Sequence, residues 1–171
     1  MEAIDLFAPL FGYPDEAYAA RAGRCAAETG SAPIREFADA VARLSTGELQ
    51  EQFIQAFDLN PASTLEIGWH LFGEQYERGE FMVDIRRRLR EAGVPETGEL
   101  PDHLLHVLPL VARLAPADAR AFIDRFLVPA LGKIATGLPK DGTFAPLVSG
   151  VIDVLAAGAP AEAVAAGGRH G

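Results

Sequence analysis

The sequence of 171 residues predicts an all-α protein, a single helical bundle of about eight or more helices. Apolar residues recur at intervals of three and four along most of the chain, which is the spacing of one helix face. No segment alternates apolar and polar residues for long, and the Asp141-Gly142 pair lies between helical patterns rather than β-branched runs. Apolar side chains make up 49% of the residues, so a core can form without disulfide or metal support.

Turn and capping residues divide the first third of the chain into four predicted helices. Gly12–Asp15 ends the first, Gly30–Pro33 ends the second, and the capping-box pattern Ser45–Glu48 opens the fourth. A turn follows at Asp58–Pro61, since proline disfavours helical backbone in the residue before it. The helices cover Ala3–Phe11, Asp15 to about Glu28, a stretch with Ile34, Phe37, Val41 and Leu44 on one face, and a stretch that buries Leu49, Phe53, Ile54 and Phe57.

Helical spacing continues from Thr64 to Gly93, as two pieces that meet near Gly73. A helix that is apolar almost all round then runs from about Asp102 to Leu114, and Pro109 inside it predicts a kink. Two more helices are predicted, from Ala117 to about Thr136 with a kink at Pro129 and from Phe144 to Ala157.

The domain organisation follows from these helices. We expect residues 1–158 to form one helical domain. The Ala/Gly-rich segment 159–171 has almost no large apolar side chain to offset the entropy of ordering, so we expect a disordered tail there.

The charge and the cysteine content exclude several classes of protein. The chain carries 15 basic and 24 acidic residues, a net charge of −9, which opposes binding to nucleic acid or to an anionic membrane and favours a basic partner. Cys25 is the single cysteine, so an intramolecular disulfide is impossible. The sequence has neither a signal-peptide pattern at Met1–Asp5 nor an apolar run of 18 residues. We therefore expect a cytoplasmic protein without membrane insertion.

The residues offer little for catalysis. His103 and His106 lie three apart beside Glu99, whereas a metal site needs three or four converging ligands. The chain has no serine-nucleophile elbow and no phosphate-binding glycine loop. We therefore predict no catalytic residue, no metal and no cofactor. A small helical metal-dependent hydrolase that uses these three residues stays open as an alternative.

An aromatic series at helical spacing is the main candidate for binding. Trp69, Phe72 and Tyr76 stand at i, i+3 and i+7, so one continuous helix would present all three on one face. Such a face either packs into the core or lines a groove for an apolar or helical peptide.

Three sequence blocks resemble a known family. They are Phe57-Asp58-Leu59-Asn60-Pro61-Ala62-Ser63, Trp69-His70-Leu71-Phe72-Gly73 and Gly98-Glu99-Leu100-Pro101-Asp102-His103-Leu104. In this order they resemble the redox-enzyme maturation chaperones of the TorD/NarJ type. Within that family they are most similar to the NarJ branch, which is the nitrate reductase delta subunit type. The N-terminal segment Leu6–Pro14 also resembles the motif near the N-terminus of the family's sequences. The resemblance covers roughly Gln52 to Leu114 and fades beyond.

The resemblance implies an all-α cytoplasmic chaperone without enzymatic activity. Its partner would be the catalytic subunit of a molybdopterin oxidoreductase, first of all nitrate reductase, recognised through a basic and apolar N-terminal leader. The chaperone would hold that subunit for molybdenum-cofactor insertion and assembly, as a monomer or a weak, domain-swapped dimer. The peptide-binding positions carried over from the family, together with Tyr76 from the aromatic series, are Trp69, Leu71, Phe72, Tyr76, Asp102 and His103.

The chemistry of these residues suits such a leader. Asp102 would accept charge-assisted hydrogen bonds from an arginine, Trp69 and Phe72 would contact the apolar part of the leader, and Trp69 would also stack on a guanidinium. The sequence departs from the family at Pro109, where an acid is common, and at Glu66, which could substitute for that acid. A stable structural subunit of a redox complex stays open as a second alternative.

Overall fold

Helices account for most of residues 2–158, the part of the chain that the computed structural model describes. The predicted tail 159–171 lies outside the described residues. Over residues 2–158 no β-strand is present, and the extended pairing is a single isolated bridge, so the all-α prediction is confirmed. The α-helices are α1 Glu2–Phe7, α2 Tyr18–Thr29, α3 Ala32–Ala42, α4 Thr46–Phe53, α5 Ile67–Phe72, α6 Tyr76–Ala92, α7 Leu104–Arg113, α8 Pro116–Phe122, α9 Val128–Gly137 and α10 Ala145–Ala157.

The capping residues indicated by the sequence form hydrogen bonds at the starts of α3 and α4. The Ser45 hydroxyl accepts a hydrogen bond from the Glu48 amide at 3.1 Å, and the Glu48 carboxylate accepts one from the Ser45 amide at 3.2 Å. This is the complete capping box at the start of α4. The Ser31 hydroxyl caps α3 by accepting a single hydrogen bond from the Ile34 amide at 3.4 Å, so both predicted boundaries are confirmed.

The helices contact one another in a closed circuit around the core. Helix α1 packs on α7, α7 on α6, α6 on α5, and α5 on α9; α9 then packs on α10, α10 on α3, α3 on α2, and α2 on α1. The large apolar residues of the predicted first helix, Ile4, Phe7, Leu10 and Phe11, are all buried. Among the other predicted core residues, Leu44 and Ile54 are only half-buried.

Two segments of wider, π-helical backbone interrupt the α-helices. They are Ile54–Asp58, directly after α4, and Ile123–Leu127, between α8 and α9. The helix predicted from Ala117 to Thr136 is therefore divided, and Pro129 lies in the first turn of α9, where its missing N–H is tolerated. The segment 54–58 is followed by a short 3₁₀ turn, Pro61–Ser63, which packs on α9.

Helices α5 and α7 begin later than the sequence predicts. The Ile67 amide donates to the Asp102 carbonyl at 2.9 Å, and the Leu104 amide donates to the Leu65 carbonyl at 3.0 Å. These bonds form an antiparallel bridge between Glu66 and His103. Because the bridge needs extended backbone, the residues from Thr64 to Glu66 and from Asp102 to His103 lie outside the helices, contrary to the prediction.

The prediction that Trp69, Phe72 and Tyr76 share one helix face is wrong. Helix α5 ends at Phe72, because Gly73 takes a positive φ of 61° that favours glycine. Tyr76 begins the separate helix α6 and is 80% exposed. The predicted break near Gly73 is therefore confirmed, and it is this break that removes Tyr76 from the aromatic series.

None of the helices between residues 2 and 158 combines the length and the apolar character needed to cross a membrane.

Removal of the capping box gives the first test of the fold. The variant Ser45→Ala should lower the free energy of unfolding by about 1 kcal/mol, because the Glu48 amide loses its acceptor. Urea denaturation measures the change. Ser149→Ala is the control, since Ser149 is exposed within α10, where alanine favours the helix. Equal stability of wild type and Ser45→Ala would contradict the role of the cap.

Candidate functional site

A cavity of about 340 Å³ lies where the π-helical segment 54–58, helix α5 and helix α6 meet the loop before α7. Its wall carries two acids, one arginine, one tryptophan and two exposed leucines: Asp58, Glu66, Arg78, Trp69, Leu59 and Leu100. Leu59 is 72% exposed and Leu100 46% exposed, so both form an apolar rim. The cavity thus combines negative charge, an aromatic ring and apolar surface.

A larger cavity of about 620 Å³ lies elsewhere, between α1, α8 and α10. Arg120 is the one charged residue in its wall within the described part of the chain, and it already binds the Leu155 carbonyl and the Asp124 carboxylate. None of the candidate site residues from the sequence lies in its wall. The chemistry is therefore concentrated at the smaller cavity.

Local hydrogen bonds hold the loop that forms one side of the smaller cavity. The Asn60 side chain donates to the Gly137 carbonyl of α9 at 3.2 Å and accepts from the Ala62 amide at 3.1 Å. The Ser63 hydroxyl donates to the Ala56 carbonyl at 2.5 Å. The predicted turn at 58–61 is thereby fixed against α9, with Leu59 pointing outward.

The bridge between Glu66 and His103 builds the opposite side. It places Glu66 beside the loop 99–103 and brings the Asp102 carboxylate against α5. A Cβ atom at Gly68 would lie 2.4 Å from Asp102 Oδ2 and 3.2 Å from the Phe81 ring. Only glycine therefore leaves room for this carboxylate beside α5.

Asp102, Arg78 and Trp69 form one connected group. Arg78 Nε donates to Asp102 Oδ2 at 3.3 Å, and the Arg78 guanidinium carbon lies 5.9 Å from the centre of the Trp69 ring. The Asp102 side chain is 0% exposed and that of Arg78 is 19% exposed. Asp102 Oδ1 has no hydrogen-bond partner among the described residues. The ion pair thus leaves half of a buried carboxylate unsatisfied.

Two acids of the site, Asp102 and Asp58, have raised pKa values. Burial is the main cause of the raised pKa of Asp102; Arg78 opposes it, and the negative charge of Glu66 adds to it. Burial also raises the pKa of Asp58, again with a contribution from Glu66. A cation in the cavity would relieve this repulsion, so the site favours a positively charged ligand.

His103 serves the fold as the N-cap of α7. Its Nδ1 accepts a hydrogen bond from the Leu105 amide at 3.0 Å, so the proton of the neutral ring lies on Nε2, which is 4.0 Å from a Glu99 oxygen. Burial lowers the pKa of the His103 imidazole to about 4. The neutral ring is therefore the form present near pH 7.

The donor atoms of Glu66, Glu99 and His103 all lie within 4.8 Å of one another, yet they do not fit a metal ion. A metal on His103 Nε2 would need that nitrogen's lone pair, while the lone pair on Nδ1 already accepts from Leu105. His106 is also engaged, since Nε2 accepts from the Thr97 amide at 2.8 Å and Nδ1 contacts the Leu100 carbonyl at 2.8 Å. The ligand set Glu99, His103 and His106 of the hydrolase alternative is therefore not assembled.

The structure separates the residues predicted to bind peptide. Trp69 lines the cavity, and Asp102 lies behind Arg78, so these two belong to one site. Leu71 and Phe72 are half-buried and pack on the core, with the Phe72 ring 5.3 Å from that of Phe81. His103 is buried as the cap, and Tyr76 is exposed outside the wall of the cavity.

Sequence reasoning missed Arg78, Asp58 and the two rim leucines. The signal for Asp58 and Leu59 was present, because both stand in the first of the resembling blocks. Arg78 gave no signal, since its partner Asp102 is 24 residues away and the pair forms only when the loop before α7 packs against α6.

Comparison with known proteins identifies the family. Residues 24–130 match the model of the family described as nitrate reductase delta subunit. The chain belongs to this family. The NarJ-type resemblance of the three sequence blocks is thereby confirmed.

Curated relatives agree with this assignment. The "Probable nitrate reductase molybdenum cofactor assembly chaperone NarJ" of Bacillus subtilis (strain 168) is 28% identical over 155 residues, which are 85% of this chain and 84% of that protein. The "Nitrate reductase molybdenum cofactor assembly chaperone NarJ" of Escherichia coli (strain K12) is 34% identical over 73 residues, 42% of this chain and 31% of that protein. Both are named as assembly chaperones rather than enzymes, in agreement with the prediction that the chain is not an enzyme.

The close approach at Gly68 is testable by a single methyl group. Gly68→Ala should lower the free energy of unfolding by about 1–3 kcal/mol, because the new Cβ overlaps the Asp102 carboxylate. Thermal or urea denaturation measures this. Gly79→Ala is the matched control, since a Cβ there meets nothing within 4 Å and alanine favours the helix. A Gly68→Ala protein as stable as wild type would show that the contact is loose.

The buried cap predicts a pH dependence of stability. The unfolded chain protonates His103 near its ordinary pKa of 6.5, whereas the folded state resists protonation down to about pH 4. Stability is therefore lost as the pH falls, by about 2 kcal/mol between pH 7 and pH 5 from this group. The raised pKa of Asp102 acts in the opposite direction, because the folded state binds that proton more tightly than the unfolded chain does.

His103→Asn isolates this contribution, because asparagine keeps an N-cap acceptor but does not titrate. Urea denaturation of both proteins at pH 7 and pH 5 should show a smaller loss in the variant. Equal losses in the two proteins would mean that His103 is protonated in the folded state at pH 5.

Proposed function

We propose that the chain is an assembly chaperone that acts in the cytoplasm on the catalytic subunit of a molybdopterin oxidoreductase, with nitrate reductase as the first candidate. It binds the N-terminal leader of that subunit and holds the subunit until the molybdenum cofactor is inserted and the complex is assembled. Family membership and the names of the Bacillus subtilis and Escherichia coli relatives support this proposal.

The cavity beside Trp69 is the observation that carries the proposal. A leader that is both basic and apolar needs a surface with negative charge next to apolar groups. Glu66 and Asp58 supply the charge, while Trp69 supplies a ring for a guanidinium or an apolar side chain. Leu59 and Leu100 at the rim add apolar surface for the neighbouring leader residues.

Glu66 takes the part of the acid that the family pattern places near Pro109. It lies in the cavity wall, whereas Pro109 lies inside α7 and outside that wall. The net charge of −9 further attracts a basic leader and speeds its encounter with the chaperone. Leu71, Phe72, His103 and Tyr76 contribute at most through the packing of α5, the start of α7 and the adjacent surface.

A second candidate function is supported by the family description as a delta subunit. A structural subunit would stay in the finished enzyme at fixed stoichiometry through washing and high salt. A chaperone would leave it. Purification of the assembled oxidoreductase, followed by mass spectrometry for this chain, separates the two.

Calorimetric titration with a synthetic leader tests the chaperone proposal directly. The probe is the N-terminal leader of the nitrate reductase catalytic subunit encoded in the same genome. We expect a Kd from submicromolar to micromolar that rises with salt concentration, because charge contributes to binding. Absence of binding to this leader and to a panel of other molybdoenzyme leaders would overturn the proposal.

The acid in the cavity wall provides the matching variant. Glu66→Gln should weaken leader binding about fivefold and reduce its salt dependence, because one charge facing the cation is removed. Asp39→Asn removes an equal charge from the exposed face of α3, away from the cavity, and serves as the control. If both variants bind as wild type does, the leader lies elsewhere on the protein.

A further inference from the structure

The one arginine in the wall of the cavity occupies the position in which an arginine of the client would be expected. Asp102 was predicted from the family to receive a guanidinium, yet in the free protein Arg78 of the same chain already contacts it. The Arg78 guanidinium also lies over Trp69, the ring predicted to stack on the client. Both recognition elements therefore hold a guanidinium before any partner binds.

The internal pair is poorly satisfied. One nitrogen, Arg78 Nε, reaches one oxygen, Asp102 Oδ2, at 3.3 Å, which is beyond the range of 2.7–2.9 Å typical of charge-assisted bonds. Asp102 Oδ1 is buried without a partner among the described residues. A carboxylate and a guanidinium can form two parallel hydrogen bonds, so a better placed guanidinium would satisfy both oxygens.

Arg78 also stands between Asp102 and the cavity. Arg78 belongs to the cavity wall, whereas Asp102 does not and is fully buried. Arg78 keeps 19% of its side chain exposed and lies in the first turn of α6, so its side chain has access to solvent. A ligand in the cavity therefore meets Arg78 first and reaches Asp102 only when Arg78 moves aside.

We propose that Arg78 is an internal substitute for a client arginine, and that leader binding exchanges one guanidinium for another at Asp102 and Trp69. This inference rests on the proposed function of leader binding. The exchange makes arginine the preferred leader residue at this position. A neutral side chain cannot replace the positive charge that Asp102 loses as its partner when Arg78 moves aside. It also keeps affinity moderate, because Arg78 competes for the same place and returns when the client is released.

The alternative is that Arg78 is a fixed structural link between α6 and the loop before α7. The two alternatives predict opposite effects of removing the guanidinium. An internal competitor weakens client binding, so its removal strengthens binding. A structural link supports the shape of the site, so its removal weakens binding or leaves it unchanged.

The experiment compares leader peptides that carry arginine or citrulline. Citrulline has nearly the same shape as arginine but no charge, and each arginine of the nitrate reductase leader is replaced in turn. Kd values are measured by calorimetry for wild type, Arg78→Met and the double variant Arg78→Met/Asp102→Asn. Arg90→Met is the control, since Arg90 is an exposed arginine on the same helix.

We expect Arg78→Met to bind the arginine leader about tenfold more tightly than wild type, because the site no longer has to be vacated. At one leader position, the Kd of the citrulline peptide divided by the Kd of the arginine peptide should also be larger for Arg78→Met than for wild type. In the double variant that ratio should fall close to one, while Arg90→Met should match wild type. Unchanged or weaker arginine binding by folded Arg78→Met, with an unchanged ratio, would overturn the inference and leave the proposed function standing.

A measurement on the wild-type protein covers the case in which Arg78→Met does not fold. The Nε–H signal of Arg78 in an ¹H–¹⁵N spectrum, assigned with Arg78→Lys, reports the hydrogen bond to Asp102. Saturation with the arginine leader should shift this signal to that of a solvent-exposed arginine. A signal that stays in place at saturation overturns the inference alone, whereas absence of binding by every leader overturns the proposed function as well.

Discussion

The backbone bridge between Glu66 and His103 is the interaction on which the site depends. Its two hydrogen bonds, at 2.9 and 3.0 Å, join the start of α5 to the start of α7. The bridge holds both segments extended, so the two helices begin only after it. It also brings Glu66 beside the loop that carries Asp102. The cap by His103 and the contact of Asp102 with Gly68 then follow from this one pairing.

The fold keeps the Asp102 carboxylate buried, although its burial is energetically unfavourable. Burial raises its pKa, a single long hydrogen bond from Arg78 offsets part of that penalty, and one oxygen stays unsatisfied. Buried ion pairs of this kind are weak contributors to stability, and an apolar pair of similar volume is often at least as stable. A functional reason for keeping the charge therefore carries more weight than a structural one, and the proposed recognition of a cationic leader would supply it.

The cavity differs from an ordinary apolar groove in how its charge is placed. Asp58 and Glu66 face the opening, Asp102 lies behind, and Arg78 stands between them beside Trp69. In the proposed function, the outer acids attract the basic leader and the inner acid selects its arginine. Competition from Arg78 would then allow the leader to be released. The larger apolar cavity between α1, α8 and α10 lacks this combination.

The sequence by itself determined the features that depend on near neighbours along the chain. Helix spacing, the Ser45 capping box and the break at Gly73 are all decided within a few residues, so periodicity and turn chemistry were enough. The sequence blocks also contain Trp69 and Asp102, and the structure places both against Arg78. Only the tertiary structure decided that Tyr76 lies apart and that Arg78 pairs with Asp102, because both facts depend on where helices end and how distant segments pack. Contacts between residues so far apart in the chain produce no periodic pattern in a single sequence. The extended bridge that creates them also forms at residues whose spacing favours a helix.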